Sequence, residues 1–120
     1  MWVFSKGRGR RMIETFKEYE DKAMRTSNGL NNNQMIYNAI LGLNGESGEL
    51  ADLLKKHLFQ GHTFDRNKLI EELGDVMCYC ALLAKGLNIE LDEVADLNIM
   101  KLSTRYPKGF EKERSVNRKE

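Results

Sequence analysis

Four carboxylates in two short pieces carry the chemistry that this sequence offers. Glu46-Ser47-Gly48-Glu49 and Glu72-Leu73-Gly74-Asp75 each hold two acids three residues apart. On a helix that spacing puts both side chains on one face, about a turn apart. Acids grouped inside otherwise apolar segments are costly unless something positive sits among them. A divalent cation is the economical answer. An all-oxygen ligand set suits a hard ion, Mg²⁺ or Mn²⁺, and no Cys or His cluster is present for zinc. Mg²⁺ keeps waters and shares its shell with substrate phosphates. Two lines at i, i+3, i+7 fit that preference: Glu72, Asp75 and Tyr79, and then Asn98, Lys101 and Arg105. Lys101 and Arg105 would grip phosphate oxygens, and Asn98 would hydrogen-bond a sugar or phosphate. Tyr79 reads equally as a ring for a base or as an amphipathic core residue. Either acidic pair alone would be an ordinary solvated face. Both pairs, with a basic face behind them, point to phosphoanhydride chemistry.

Helices must bring these pairs together, and the periodicity predicts an all-α chain. Ile13, Phe16, Tyr19 or Glu20, and Ala23 make a stripe over a first helix from Met12 to about Thr26, ended by Ser27-Asn28-Gly29. Asn31-Asn32-Asn33 connects and caps a second helix, Gln34 to Phe59. Asp65 or Asn67 caps a third, Lys68 to Lys85. Its Leu69, Ile70, Leu73, Val76, Met77, Cys80, Leu83 and Ala84 are expected to face the core, and Gly86-Leu87-Asn88 closes it. A fourth helix runs from Leu91 to about Arg105 and stops before Pro107. Gly42, Gly45 and Gly48 each cost about 1 kcal/mol of helix propensity relative to Ala. A close helix approach or room for a ligand would be the reason.

The second and third helices are apolar over more than one face, so a four-helix bundle completed by a second copy of the chain is expected. Residues 1–11 read as a flexible basic lead-in, 12–110 as one domain and 111–120 as a charged, frayed tail. At 120 residues, one core is all the length supports. Nineteen basic residues against 18 acidic ones give no blanket charge for a nucleic acid polymer or a membrane surface. No apolar run reaches the roughly 20 residues of a membrane span. Cys78 and Cys80 are i, i+2 neighbours that point to different faces of a helix, so a disulfide between them is implausible and a reducing cytoplasm is expected.

Gly45-Glu46-Ser47-Gly48-Glu49-Leu50, Glu71-Glu72-Leu73-Gly74-Asp75-Val76, Asn98 to Lys101 and Arg105-Tyr106-Pro107-x-Gly109-Phe110 together resemble the MazG-like branch of the all-α nucleoside triphosphate pyrophosphohydrolases. The likeness covers about residues 14–110. It implies Mg²⁺ ligation by Glu46, Glu49, Glu72 and Asp75, and phosphate binding by Lys101 and Arg105. It also implies cleavage of a (d)NTP between its α and β phosphates to (d)NMP and pyrophosphate, and assembly as a homodimer or homotetramer. Glu46 or Glu49 would accept the attacking water's proton. Two rival readings remain beside this one. A carboxylate-bridged di-iron bundle needs Glu-x-x-His pairs, and neither His57 nor His62 stands three residues after a candidate glutamate. A non-catalytic helical dimerisation or regulatory module would keep the acids for structure and make Lys101 and Arg105 incidental.

Overall fold

The structure, a computed structural model, describes residues 11–118. Almost all of the expected basic lead-in, and residues 119–120 of the expected tail, lie outside them. Among the described residues the chain is all-α: five α-helices, a short 3-10 turn and no strand, with one isolated bridge between Pro107 and Gly109. None of these helices is long and apolar enough to cross a membrane.

Local chemistry sets the boundaries. Helix α1 is Phe16–Ala23, later in its start than the apolar stripe predicts. Thr15 is the reason: its hydroxyl accepts from Glu18 N at 3.2 Å, which fixes the first turn there. The chain tightens into the 3-10 turn Met24–Ser27 and reverses at Gly29, whose φ of +87° is left-handed. Helix α2, Asn32–Phe59, opens on a reciprocal cap: Asn31 accepts from Gln34 N at 2.9 Å, and the Gln34 side chain accepts from Asn31 N at 3.0 Å. Asp65 caps helix α3, Arg66–Gly86, by accepting from Lys68 N at 3.0 Å.

The far end of α3 departs from expectation in a useful way. The left-handed residue beyond it is Asn88, with φ of +57°, not Gly86. Gly86 stays in the helix because α2 crosses there: a Cβ would lie 2.9 Å from Ile36 Cγ1 and 3.1 Å from the Asn32 carbonyl oxygen. Helix α4 is Leu91–Arg105, and a short helix α5, Lys112–Val116, occupies the segment expected to fray.

Helices α2 and α3 form an antiparallel hairpin that carries most of the tertiary contact. α1 and its 3-10 turn lie over one end of it. The core sits where they meet: Ala23, Met24, Met35, Ala39, Ala81 and Leu82. α4 is tied down at its beginning, where Glu20 of α1 accepts from Leu91 N at 2.6 Å and Lys17 reaches Glu90 at 3.4 Å. The carboxylate there also meets the positive end of the helix dipole. No residue of α4 is buried.

The buried face of α3 matches its expected core residues only in part. Ala84 is buried as expected, Leu69, Val76, Met77 and Leu83 are half-buried, and Leu83 packs against the core, but Ile70 and Leu73 are 48% and 53% exposed, Cys80 is exposed, and Glu72, Ala81 and Leu82 are buried instead. α3 is apolar on more than one side, and α2 covers the side that carries the acids. The second apolar row therefore faces outward in a single chain.

Candidate metal centre

The α2–α3 hairpin brings the acidic pairs face to face. Glu46 from α2 and Glu72 and Asp75 from α3 each offer a carboxylate oxygen within 4.8 Å of the others. Glu72 is the buried member, 8% exposed, and Glu46 is half-buried. Lys68, one turn before Glu72, approaches its Oε1 at 3.5 Å. A hydrogen bond with Glu72 holds the Glu46 carboxyl above the ordinary carboxylate range. Loss of solvent and the charges of Asp75, Glu72 and Glu49 push the same way. A cation among the three would relieve their mutual repulsion.

Glu49 is exposed and stands outside the three-acid grouping, although its charge reaches both Glu46 and Lys56. The expected four acids are thus three together and one beside them. His57 and His62 are elsewhere: His57 Nδ1 lies 2.9 Å from the His62 carbonyl oxygen and its ring meets Phe64 edge-on. The di-iron alternative gains no histidine from this arrangement.

A cavity of about 320 Å³ has Glu46 and Asp75 among its lining residues. Tyr79 forms part of its wall and also packs against the core, so neither of its two expected roles is singled out. Its ring lies over Gly42, where a Cβ would fall inside the ring atoms. Gly42 therefore has the close-approach role expected of it. Gly45 and Gly48 have no such close approach, since around each a Cβ would meet nothing within 4 Å, which leaves the other expectation, room for a ligand. The rest of the wall went unnoticed in the sequence: Asn38 from α2, Met24, Thr26 and Ser27 from the 3-10 turn, and Cys78 and Leu82 from α3. Asn38, Gly42 and Glu46 are an i, i+4, i+8 line, a signal that was there to be read. The 3-10 turn had no such signal, since its residues pass for the end of a helix. Burial pushes the Cys78 thiol up, and burial first of all pushes the Tyr19 phenol up to about 12, helped by Cys78, Cys80 and Asp75. Both groups stay neutral near pH 7.

Within one chain the basic face of α4 is not brought to this place. Asn98 and Lys101 are exposed and do not border the cavity. Arg105 lines a different cleft, with Glu111, Arg114 and Asn117, where α4 gives way to α5.

Comparison with known proteins places the chain in a family. The Gene 37 protein of Mycobacterium phage L5 is 41% identical over 73 residues, which are 58% of this chain and 64% of the phage protein. The match thus spans a little under two thirds of that relative's length. No solved structure gives a significant match. The family model for the MazG nucleotide pyrophosphohydrolase domain matches residues 34–110, a stretch that contains α2 but for its first two residues, all of α3 and α4, and all four acids. The chain belongs to the MazG nucleotide pyrophosphohydrolase domain family.

Proposed function

We propose that this protein is a Mg²⁺-dependent nucleoside triphosphate pyrophosphohydrolase, with Mn²⁺ as a possible substitute, that cleaves (d)NTP between the α and β phosphates. The observation that carries this is the convergence of Glu46, Glu72 and Asp75 from two helices beside an open cavity. The donor set fits a hard divalent ion: every ligand atom is a carboxylate oxygen. When bound, Mg²⁺ supplies polarised phosphate oxygens and an activated water.

The chain's own residues do the rest. Glu46, Glu72 and Asp75 are the residues that would hold the ion. Glu49, outside the grouping, accepts the attacking water's proton on a carboxylate oxygen, with Glu46 as the other acid in reach of that role. The water oxygen forms the new P–O bond, the α–β bridging bond breaks, and pyrophosphate leaves. Lys101 and Arg105 neutralise the charge that develops on it, and Asn98 hydrogen-bonds sugar or phosphate.

Because these α4 residues do not border the cavity of their own chain, we assign them to a homodimer or homotetramer in which α4 serves a neighbouring site. α4 has no buried residue, and Leu97, Ile99 and Met100 on it are 58%, 61% and 65% exposed. Such a surface fits association with a second copy better than isolation in water. The free thiols of Cys78 and Cys80 suit a reducing cytoplasm.

Incubation with Mg²⁺ and a panel of NTPs and dNTPs, with pyrophosphate followed, tests the reading. Turnover that needs the metal and disappears in Glu72→Ala is expected. No turnover of any nucleotide would leave the non-catalytic dimerisation module, which the exposed apolar rows also favour.

A further inference from the structure

The stretch Tyr106-Pro107-Lys108-Gly109-Phe110 follows α4 and has no part in the acidic grouping. Its geometry is that of an elbow. Gly109 takes a left-handed φ of +87° and donates its N–H to the Tyr106 carbonyl at 3.1 Å. The Tyr106 and Phe110 rings pack on each other with 5.2 Å between their centroids. The turn holds itself by these local contacts. The α5 segment beyond it shares a cleft with the last turn of α4. α5 is 5 residues long and buries none of them, so core packing is not what the elbow achieves. It gathers Arg105 of α4 with Arg114 and Arg118 around a volume of about 460 Å³.

Thr104, Glu111, Glu113 and Asn117 complete the lining, so every side chain on it is polar. Such a surface does not suit a base or any other apolar ligand. Thr104 Oγ1 already donates to the Met100 carbonyl at 3.0 Å, which leaves the guanidiniums and the Asn117 carboxamide as donors. Arg114 Nε lies 3.7 Å from Glu111 Oε2, and both side chains are 49% exposed, so this ion pair is loose and solvated. A guanidinium has about five N–H donors in a planar fork, and a carboxylate accepts about four hydrogen bonds. Whatever pairs Arg105, Arg114 and Arg118 form within the chain, their forks carry more donors than Glu111 and Glu113 can take up. Forks of this kind grip phosphate oxygens two at a time. Several of them on one cleft match a ligand with several phosphate groups.

Resting on the hydrolase reading given above, we propose that the elbow cleft is a polyphosphate site. Arg114 and Arg118 bind the β and γ phosphates of the substrate together with Arg105. The segment whose composition predicts fraying is thus a working part of the protein. The elbow presents three guanidiniums as one unit, where the last turn of α4 presents one. The cleft reads the number of phosphates and not the base. It favours a triphosphate over the monophosphate product, which has no β or γ group to place there.

The first test measures KM and kcat for a nucleoside triphosphate in Arg114→Gln, Arg118→Gln and Lys112→Gln. Lys112 is a basic residue of the same helix that does not line the cleft. Each arginine variant should raise KM about tenfold, the low end for a hydrogen bond to a charged group. Lys112→Gln should leave KM unchanged, and Arg118→Lys, which keeps the charge but not the fork, should recover only part of the loss. Inhibition by the monophosphate product should be the same in all of them. An unchanged KM in both arginine variants, an equal rise in Lys112→Gln, or a matching loss of monophosphate inhibition overturns the assignment. A second measurement needs no turnover: calorimetric titration with inorganic pyrophosphate, without Mg²⁺, in the wild type, Glu72→Ala, Arg114→Gln and Arg118→Gln. The wild type and Glu72→Ala should bind it alike, and the arginine variants about tenfold more weakly. No binding to the wild type, or equal affinity in the arginine variants, overturns the cleft. The expected binding pattern without hydrolysis of any triphosphate would instead sink the hydrolase reading and leave the cleft standing.

Discussion

At the scale of single residues, the site is three like charges that the fold forces together. Glu46 responds by keeping its proton to higher pH than an ordinary glutamate, first through its hydrogen bond with Glu72. A carboxyl whose value in the folded chain is raised contributes stability at pH below its unfolded value. That contribution is lost as pH rises through the folded value. The metal-free protein should therefore lose stability as pH climbs from the acid side through the carboxylate range, and Mg²⁺ should restore it at neutral pH. Glu46→Gln removes one of the repelling charges. Its metal-free melting temperature at pH 7 should sit above that of the wild type, and the rise on adding Mg²⁺ should shrink; a thermal melt with and without Mg²⁺ reads both. Asp75→Asn should lower kcat/KM by more than about 100-fold, since it weakens the ion's hold rather than the nucleotide's alone. A pyrophosphate-release assay at saturating Mg²⁺ would separate lost affinity for the ion from lost catalysis.

At the scale of elements, the glycines of α2 divide into two kinds. Gly42 is required by the Tyr79 ring, so Gly42→Ala should destabilise the protein by about 1–3 kcal/mol, the usual penalty of overpacking. Gly45 and Gly48 meet nothing in their own chain. In a monomer, Gly45→Ala should stabilise by up to about 1 kcal/mol through helix propensity. Denaturant titration at two protein concentrations measures both effects. A Gly45→Ala variant that is less stable only at the higher concentration would put a second copy against that face. The Asn31–Gln34 capping box is an independent check on the start of α2: Asn31→Ala should cost about 1 kcal/mol by the same titration.

At the scale of the molecule, one chain is an open body. Its radius of gyration is 17.7 Å, against roughly 14 Å for a compact domain of this length. No large side chain among the described residues is fully buried, and Leu41 and Phe59 on α2 are 73% and 80% exposed. Such a surface is expected to pair. Light scattering after size exclusion should give a dimer or larger at micromolar concentration, and Leu41→Asp or Leu97→Asp should shift it towards monomer. If α4 serves a neighbouring site, Leu97→Asp should also lower kcat/KM for nucleotide hydrolysis, while the Glu46–Glu72–Asp75 grouping, which lies within one chain, keeps its Mg²⁺-dependent rise in melting temperature.

The helical class, the ends of α2 and the identity of the acids followed from the sequence, because each rests on local rules: a 3.6-residue period, a cap three residues from its partner, two acids a turn apart. Glu46, Glu72 and Asp75 could be named before their geometry was known. Which apolar row of α3 turns inward could not, since α3 is apolar on more than one side and only the position of α2 chooses between them. The same holds for Asn38 and the Met24–Ser27 turn. They reach one cavity through the docking of α1 on the hairpin, a long-range contact that no local spacing records. Glu49 has the right spacing on α2 and still stands outside the grouping, because a shared helical face does not fix which residue of it meets α3. Chain-local chemistry lies in the sequence; the choice among equivalent faces belongs to tertiary packing.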